Sequence, residues 1–303
     1  MRVLIVGLGS IAHKHIYALN QLSADTEIYA LRSGATGNKT DGVTDLYTLT
    51  DNSVQFDFAI ISNPTSAHND TIEQLLPLGI PLFIEKPLFH TLEKGQEVLD
   101  KCNELGIKTY VACNLRFNPI IRFVREYLGQ TTAQINEVNI YTGSYLPDWR
   151  PQRDFRTIYS AIPELGGGVH LDLIHELDYA CWLFGLPLSS QKKLTNKSSL
   201  DIPAIDFAHY NLEYPAFTAN LTLNYYRRDT KRELEILFED ATLVADLVGG
   251  SVKRNGEIIF QQKTEVYYTY IEQMKYFLAY IKGQDLPMNN INEAFEILKI
   301  CLK

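Results

Sequence analysis

Residues 2–6 read RVLIV, an apolar run that fits a buried strand, and a helical alternation begins near residue 10. The same alternation recurs downstream. Strand-like runs stand at 27–31 (EIYAL), 56–62 (FDFAIIS), 82–84 and 109–112. Between them lie a loop at 37–42 (GNKTDG), a helical pattern from about Asn69 and a helix over 92–104. Strands alternating with helices predict a parallel, doubly wound sheet through about residue 113. After a helical stretch at 170–184, shorter strand-like runs follow at 204–212, 217–226, 232–238, 241–246 and 258–260, each bounded by turn residues. Two amphipathic segments, 266–282 and 291–302, read as helices. No low-complexity tract or internal repeat interrupts the chain.

The stretch 164–185, ELGGGVHLDLIHELDYACWLFG, combines pattern with chemistry. On a wheel of about 100° per residue, His175, Glu176 and Tyr179 fall within about 60° of Asp172. Leu173, Ile174, Leu177, Ala180, Cys181 and Phe184 oppose them. The pattern predicts one helix with an apolar face and, opposite it, a carboxylate and an imidazole one turn apart. Gly166–Gly168 predict a helix N-terminus that something approaches closely. Gly185 suits the C-terminal end. His170 falls toward the apolar side and reads as packing or capping. By itself an Asp-x-x-His pair favours a solvated outer face.

The first strand runs into Gly7-Leu8-Gly9-Ser10-Ile11-Ala12, a G-x-G-x-x-A pattern between a strand and a helix. Gly7 permits the tight turn, Gly9 lets backbone approach a pyrophosphate, and Ala12 allows close helix–strand packing. The helix N-terminus offers free N–H groups at Ser10 and Ile11 to the phosphates. The second strand ends in Arg32 and Ser33, with no acidic residue for a ribose 2′-hydroxyl. An Arg and a hydroxyl suit a 2′-phosphate, so NADP is expected ahead of NAD. Ser62, Asn63, Pro64 and His68 follow the 56–62 strand, and Glu85-Lys86-Pro87 follows the 82–84 strand. Both sets are expected beside the cofactor at the carboxyl edge of the sheet. Lys86 reads either as a cation that polarises a substrate oxygen or as a surface lysine.

Composition narrows the functional classes. With 303 residues, 46% hydrophobic and 21% charged, the chain reads as an ordinary globular protein of one large domain or two. A net charge of −8 argues against a nucleic-acid surface. No run of about 20 apolar residues is present, so no membrane span is expected. The N-terminal segment lacks a basic region ahead of a long apolar core, as a signal peptide would have. The four cysteines, Cys102, Cys113, Cys181 and Cys301, form no C-x-x-C motif and are expected as buried thiols in a cytoplasmic protein.

VGLGSIAHKHI at the N-terminus, EKP at 85–87, NLRFNP at 114–119 and GGGVHLDLIHELD at 166–178 together resemble the Gfo/Idh/MocA family of nicotinamide-dependent oxidoreductases. Their order and spacing match, and the resemblance covers essentially the whole chain. YLPDWRP at 145–151 is similar to a subgroup associated with bacterial surface-polysaccharide synthesis. The resemblance implies a Rossmann domain over 1–115 and an α/β domain with a large, mostly antiparallel open sheet over 116–303. It also implies that the last helix, about 291–302, packs back on the Rossmann domain, and that the sheet forms a homodimer or homotetramer. The catalytic residues carried over are Lys86, Asp172 and His175. Many members space the Asp and His four apart rather than three; both spacings keep them on one helix face, and His175 is the firmer of the two.

The expected reaction moves a hydride between NADP (or NAD) and a secondary alcohol carbon of a sugar or sugar nucleotide. His175 takes the hydroxyl proton, an imidazole titrating near working pH. Lys86 stabilises the alkoxide, and Asp172 orients a hydroxyl or balances Lys86. Asn114, Arg116, Trp149, Arg150, Arg156 and Tyr159 are candidates for lining the substrate cleft, with arginines pairing a phosphate or carboxylate. Two other classes compete. A non-catalytic dinucleotide sensor would not need Lys86 and His175 together. A metal-dependent hydrolase using His170, Asp172 and His175 would crowd its ligands into poor geometry, so no metal is expected. Within the family, a nicotinamide that stays bound and cycles in place is a further variant.

Overall fold

Arg2–Val6 is buried from Val3 onward and forms β1 at the middle of a sheet, which is why it is apolar on both faces. The computed structural model describes residues 1–34, 39–49 and 54–303; of the loop read at 37–42, Gly37 and Asn38 lie outside them. In chain order β1 leads to α1 (Ser10–Leu22), β2 (Glu27–Leu31), β3 (Val43–Leu46), β4 (Phe58–Ile61) and α2 (His68–Leu75). These are followed by β5 (Leu82–Glu85), α3 (Gly95–Glu104) and β6 (Thr109–Ala112). The six strands lie in the order β3-β2-β1-β4-β5-β6, all parallel. Strand order reverses between β1 and β4, and in such sheets the crevice beyond the carboxyl ends at that point is where ligands bind.

The chain continues through α4 (Pro119–Gln130), β7 (Ile135–Tyr145), α5 (Val169–Asp172), α6 (His175–Phe184) and β8 (Ser189–Thr195). It then forms β9 (Phe207–Glu213), β10 (Thr218–Asn224), β11 (Tyr226–Phe238), β12 (Thr242–Asp246), β13 (Ser251–Arg254) and β14 (Glu257–Gln261). These eight strands make a second sheet in the order β14-β13-β12-β11-β7-β10-β9-β8. Only β10 and β7 run parallel; every other pair is antiparallel. Burial alternates along β9 and β10, as a sheet with one covered face requires. The half-exposed face carries Asn211, Asn220 and Asn139, hydrogen-bonded in a row across β9, β10 and β7 at 3.0 and 3.4 Å. Helix α4 packs on β12–β14 and on α6. It starts cleanly: Pro119 occupies the first turn, and the Asn118 side chain accepts the Ile120 N–H at 2.9 Å.

The last two helices, α7 (Tyr268–Ile281) and α8 (Ile291–Leu302), return to the first sheet. Helix α7 packs on α1, and α8 packs on β6 and α3. The compact units are therefore Met1–Asn114 with Val266–Leu302, and Leu115–Glu265. Both amphipathic helices, not the final one alone, belong with the parallel sheet. Among the described residues no helix is long and apolar enough to cross a membrane.

Candidate active site

The turn between β1 and α1 is built around Gly7. Its φ is +92°, and a Cβ there would lie 2.3 and 2.4 Å from the Asn63 backbone N and Cα, so only glycine fits. Ser62, at the end of β4, closes this approach: its amide donates to the Val6 carbonyl at 2.8 Å and its hydroxyl to the Gly7 carbonyl at 2.8 Å. Gly9 caps α1, and a Cβ there would meet nothing within 4 Å. Helix α1 carries no acidic residue in its first turn and no side-chain cap, so no capping side chain competes for its first N–H groups, at Ser10 and Ile11. That cradle fits a dinucleotide pyrophosphate.

Asn63 extends the turn. Its Nδ2 donates to Thr71 Oγ1 at 2.7 Å, while Pro64 is exposed beside it. His68 is buried between two carbonyls, those of Leu88 at 3.0 Å and Asn63 at 3.1 Å. Burial pushes its imidazole pKa down, and the two carbonyls pull the other way. His68 therefore braces the loop from inside and does not face a cofactor. Arg32 is half-buried, and its guanidinium pairs with Asp45 on β3 at 3.2 Å; Ser33 is exposed next to it.

At the end of β5, Glu85 is buried and Lys86 is half-buried. Glu85 Oε1 lies 2.6 Å from His15 Nε2, and Oε2 accepts the Lys86 amide at 3.2 Å. Lys14, beside His15, donates to the Tyr270 hydroxyl at 3.3 Å; burial lowers its pKa, with Glu85 opposing and Lys86 reinforcing the shift. Neither Lys14 nor His15 was singled out from sequence. The available signal was His15 within the otherwise apolar buried stripe Ala12, Ile16, Ala18 and Leu19.

In the second unit the predicted continuous helix is two. Helix α5 ends at Asp172, and α6 starts at His175 after Leu173 and Ile174. The polar face is not solvated: Glu176 and Tyr179 are fully buried. Glu176 Oε1 accepts from Arg232 at 2.6 Å and from the Thr142 hydroxyl at 2.9 Å, and burial raises the Tyr179 phenol well above its usual range. Asp172 and His175 remain half-buried. Asp172 Oδ2 accepts the hydroxyl of fully buried Tyr225 at 2.5 Å. The Tyr225 ring meets Trp149 edge-on, with centroids 5.3 Å apart. What approaches the glycines is the chain's own backbone: a Cβ on Gly167 would lie 2.2 Å from the Tyr159 carbonyl oxygen.

The proposed cleft residues divide. Arg116 is buried, only 3% exposed, and grips Asp178 of α6 with two bonds at 2.9 and 2.7 Å. It anchors α6 instead of presenting its guanidinium to a substrate, which corrects the expectation. Asn114 is half-buried and donates to Thr269 at 2.8 Å. Tyr159 donates to the Gly166 carbonyl at 2.9 Å and so helps hold the glycine turn. Trp149 is 38% exposed with its indole N–H on Ser144, and Arg150 and Arg156 are exposed. No cluster of three or more His, Cys, Asp or Glu with metal-holding geometry occurs among the described residues.

Comparison with known proteins agrees with this layout. Residues 1–113 match the model of the oxidoreductase family with an NAD-binding Rossmann fold, and residues 132–244 match the GFO/IDH/MocA C-terminal domain. A curated relative, the scyllo-inositol 2-dehydrogenase (NAD(+)) of Bacillus subtilis, is 29% identical over 135 residues, covering 44% of this chain and 37% of the relative. The scyllo-inositol 2-dehydrogenase (NADP(+)) IolW of the same organism is 22% identical over 176 residues, covering 56% of this chain and 46% of the relative. The matched segments thus span under half of either relative's length. Among solved structures, the WlbA dehydrogenase from Bordetella pertussis, in complex with NADH and UDP-GlcNAcA, superposes with a TM-score of 0.83 at 18% identity, covering 98% of this chain and 92% of the other. The chain belongs to the Gfo/Idh/MocA family of oxidoreductases, with a parallel Rossmann sheet and a mostly antiparallel second sheet.

Proposed function

We propose that this chain is an NAD(P)-dependent dehydrogenase acting on a secondary alcohol or ketone carbon of a sugar or sugar nucleotide. The observation that carries it is the turn after β1. Gly7 is locked against Asn63, Gly9 is open, and α1 begins with uncapped N–H groups where strand order reverses. A bound nicotinamide would supply the hydride acceptor or donor at its C4. Lys86 places a positive charge on the substrate oxygen as it becomes an alkoxide. His175 takes the hydroxyl proton in oxidation and returns it in reduction. Asp172, steadied by Tyr225, orients a substrate hydroxyl. Trp149, Arg150 and Arg156, exposed in the second unit, remain the substrate-lining candidates.

NADP(H) is the proposed preference, read by Arg32 and Ser33. Asp45 shares the Arg32 guanidinium, so the preference over NAD(H) is modest and Asp45→Asn is expected to sharpen it several-fold. The second sheet's half-exposed face is the proposed contact for a homodimer or homotetramer, and the protein is proposed to work in the cytoplasm. The test is turnover at 340 nm with both dinucleotides and a panel of sugars and sugar nucleotides, alongside Lys86→Ala and His175→Ala. Activity lost in both variants with dinucleotide binding retained supports the assignment. Activity unchanged in either removes that residue from it.

A further inference from the structure

Lys86 is where the proposed chemistry places its positive charge, and the residues behind it form a buried relay back to α1. His15 is fully buried on α1, the helix whose N-terminus faces the proposed phosphate site. Its ring is wedged edge-on between Phe83, 4.8 Å away, and Tyr270, 5.9 Å away. Nε2 lies 2.6 Å from Glu85 Oε1 and donates to it, while the other carboxylate oxygen accepts the Lys86 amide at 3.2 Å. Nδ1 is buried with no hydrogen-bond partner. That arrangement fits a ring whose N–H sits at Nε2, because a proton on Nδ1 would be buried and unmet.

We infer that His15 is a positioning residue for the catalytic lysine. Through Glu85 it fixes the backbone from which Lys86 projects and ties it to the helix that carries the dinucleotide turn. A packing role alone would be served by an apolar residue, as at Ile16 and Leu19 of the same stripe. An imidazole there is warranted because a buried carboxylate must be met by donors. Without His15, one oxygen of Glu85 would lose its partner. Lys14 lies within electrostatic reach of both Glu85 and Lys86, and Lys86 is adjacent to Glu85 in the chain with its amide already on the carboxylate, so the freed oxygen would draw the Lys86 ammonium. The side chain of Lys86 would then be pulled back onto Glu85 and away from a substrate oxygen.

The inference rests on the proposed dehydrogenase reading, so its test has an arm independent of turnover. In dinucleotide-free protein, Lys86 is acylated competitively and its rate measured by peptide mass spectrometry against exposed Lys253. His15→Phe keeps ring volume and removes the donor; His15→Gln restores a donor. The expected result is a Lys86 rate in His15→Phe changed by about threefold or more, returned toward wild type in His15→Gln. With dinucleotide and substrate, kcat falls on the order of 10- to 100-fold in His15→Phe, and His15→Gln recovers most of it. Dinucleotide affinity stays within about twofold, which separates misaimed Lys86 from a damaged phosphate turn. If His15→Phe does not fold, His15→Asn, too short to span to Glu85, takes its place with the same expected result. A Lys86 rate equal to wild type in the donor-lacking variant overturns the inference, as does a lost rate that His15→Gln fails to restore. A wild-type protein that transfers no hydride refutes the dehydrogenase reading, while the acylation arm still decides the role of His15.

Discussion

Replacing Arg116 with Met leaves Asp178 buried without its charge partner. The two side chains are 3% and 1% exposed, and the fork is bidentate at 2.9 and 2.7 Å. Removing one member of such a pair costs about 3–5 kcal/mol, chiefly because the remaining charge is stranded. In a unit of this size each kcal/mol lowers the melting temperature by about 2–4 °C, so Arg116→Met should lower it by about 6–20 °C. Replacing both residues, as Arg116→Met with Asp178→Leu, removes the stranded charge and should restore most of the loss. Arg116 also lies 5.8 Å from the Trp182 ring centroid, which Arg125 covers at 3.8 Å, so the Asp178→Leu single variant completes the cycle that isolates the pair. Thermal unfolding of the single and double variants gives the coupling, and steady-state kinetics at a temperature where both are folded gives KM. KM for the substrate should stay within about twofold. Wild-type stability in Arg116→Met, together with a raised KM, would refute the reasoning and return Arg116 to the substrate cleft.

Gly7→Ala should weaken dinucleotide binding by about tenfold or more, since its φ of +92° and the Asn63 backbone 2.3 Å from the new Cβ leave no relaxed geometry; Gly9→Ala, with nothing within 4 Å, should keep its melting temperature and lose affinity only. Fluorescence titration and thermal unfolding check the pair, and Gly7→Ala with wild-type affinity would contradict the packing argument. Tyr225→Phe removes a buried 2.5 Å bond to Asp172 and should cost about 1.5–3 kcal/mol of stability along with a lower kcat/KM, measured by denaturant unfolding and steady-state rates. Burial, reinforced by Lys192, pushes His170 down to about 4. Folding therefore favours the neutral ring: the contribution is full above the unfolded pKa of about 6.5 and is lost as pH falls from there toward 4, by about 3 kcal/mol in all. Unfolding curves of His170→Gln between pH 7 and 4 should show that slope flattened (~0 from this group).

Most of the parallel sheet was legible because buried strands such as RVLIV and FAII declare themselves as uninterrupted apolar runs. The short edge strand β3 did not, since VTDL is polar and half-exposed. In the second sheet β7 escaped notice even though it pairs with both β10 and β11, because its alternation is diluted by Asn139, Thr142 and Gly143. The 170–184 segment was misread for a physical reason: a wheel assumes one axis and a solvated polar side. Here the helix breaks between Asp172 and His175, and Arg232 arrives from β11 to bury Glu176. Arg116 was misassigned on the same ground, because its partner Asp178 lies on another helix and no local pattern announces a buried ion pair. Tyr225 had no local signal at all, for its hydroxyl matters only through a contact with Asp172 made 53 residues away in the chain.

Titration of the purified protein with NADPH and NADH, by fluorescence after releasing any nucleotide already bound, tests the central claim most directly. The account predicts saturable binding of at least one dinucleotide, tighter for NADPH, and abolished or strongly weakened in Gly7→Ala. No binding of either dinucleotide, with none released from the protein beforehand, would contradict the cofactor cradle after β1 and the roles proposed for Lys86 and His175 in hydride transfer.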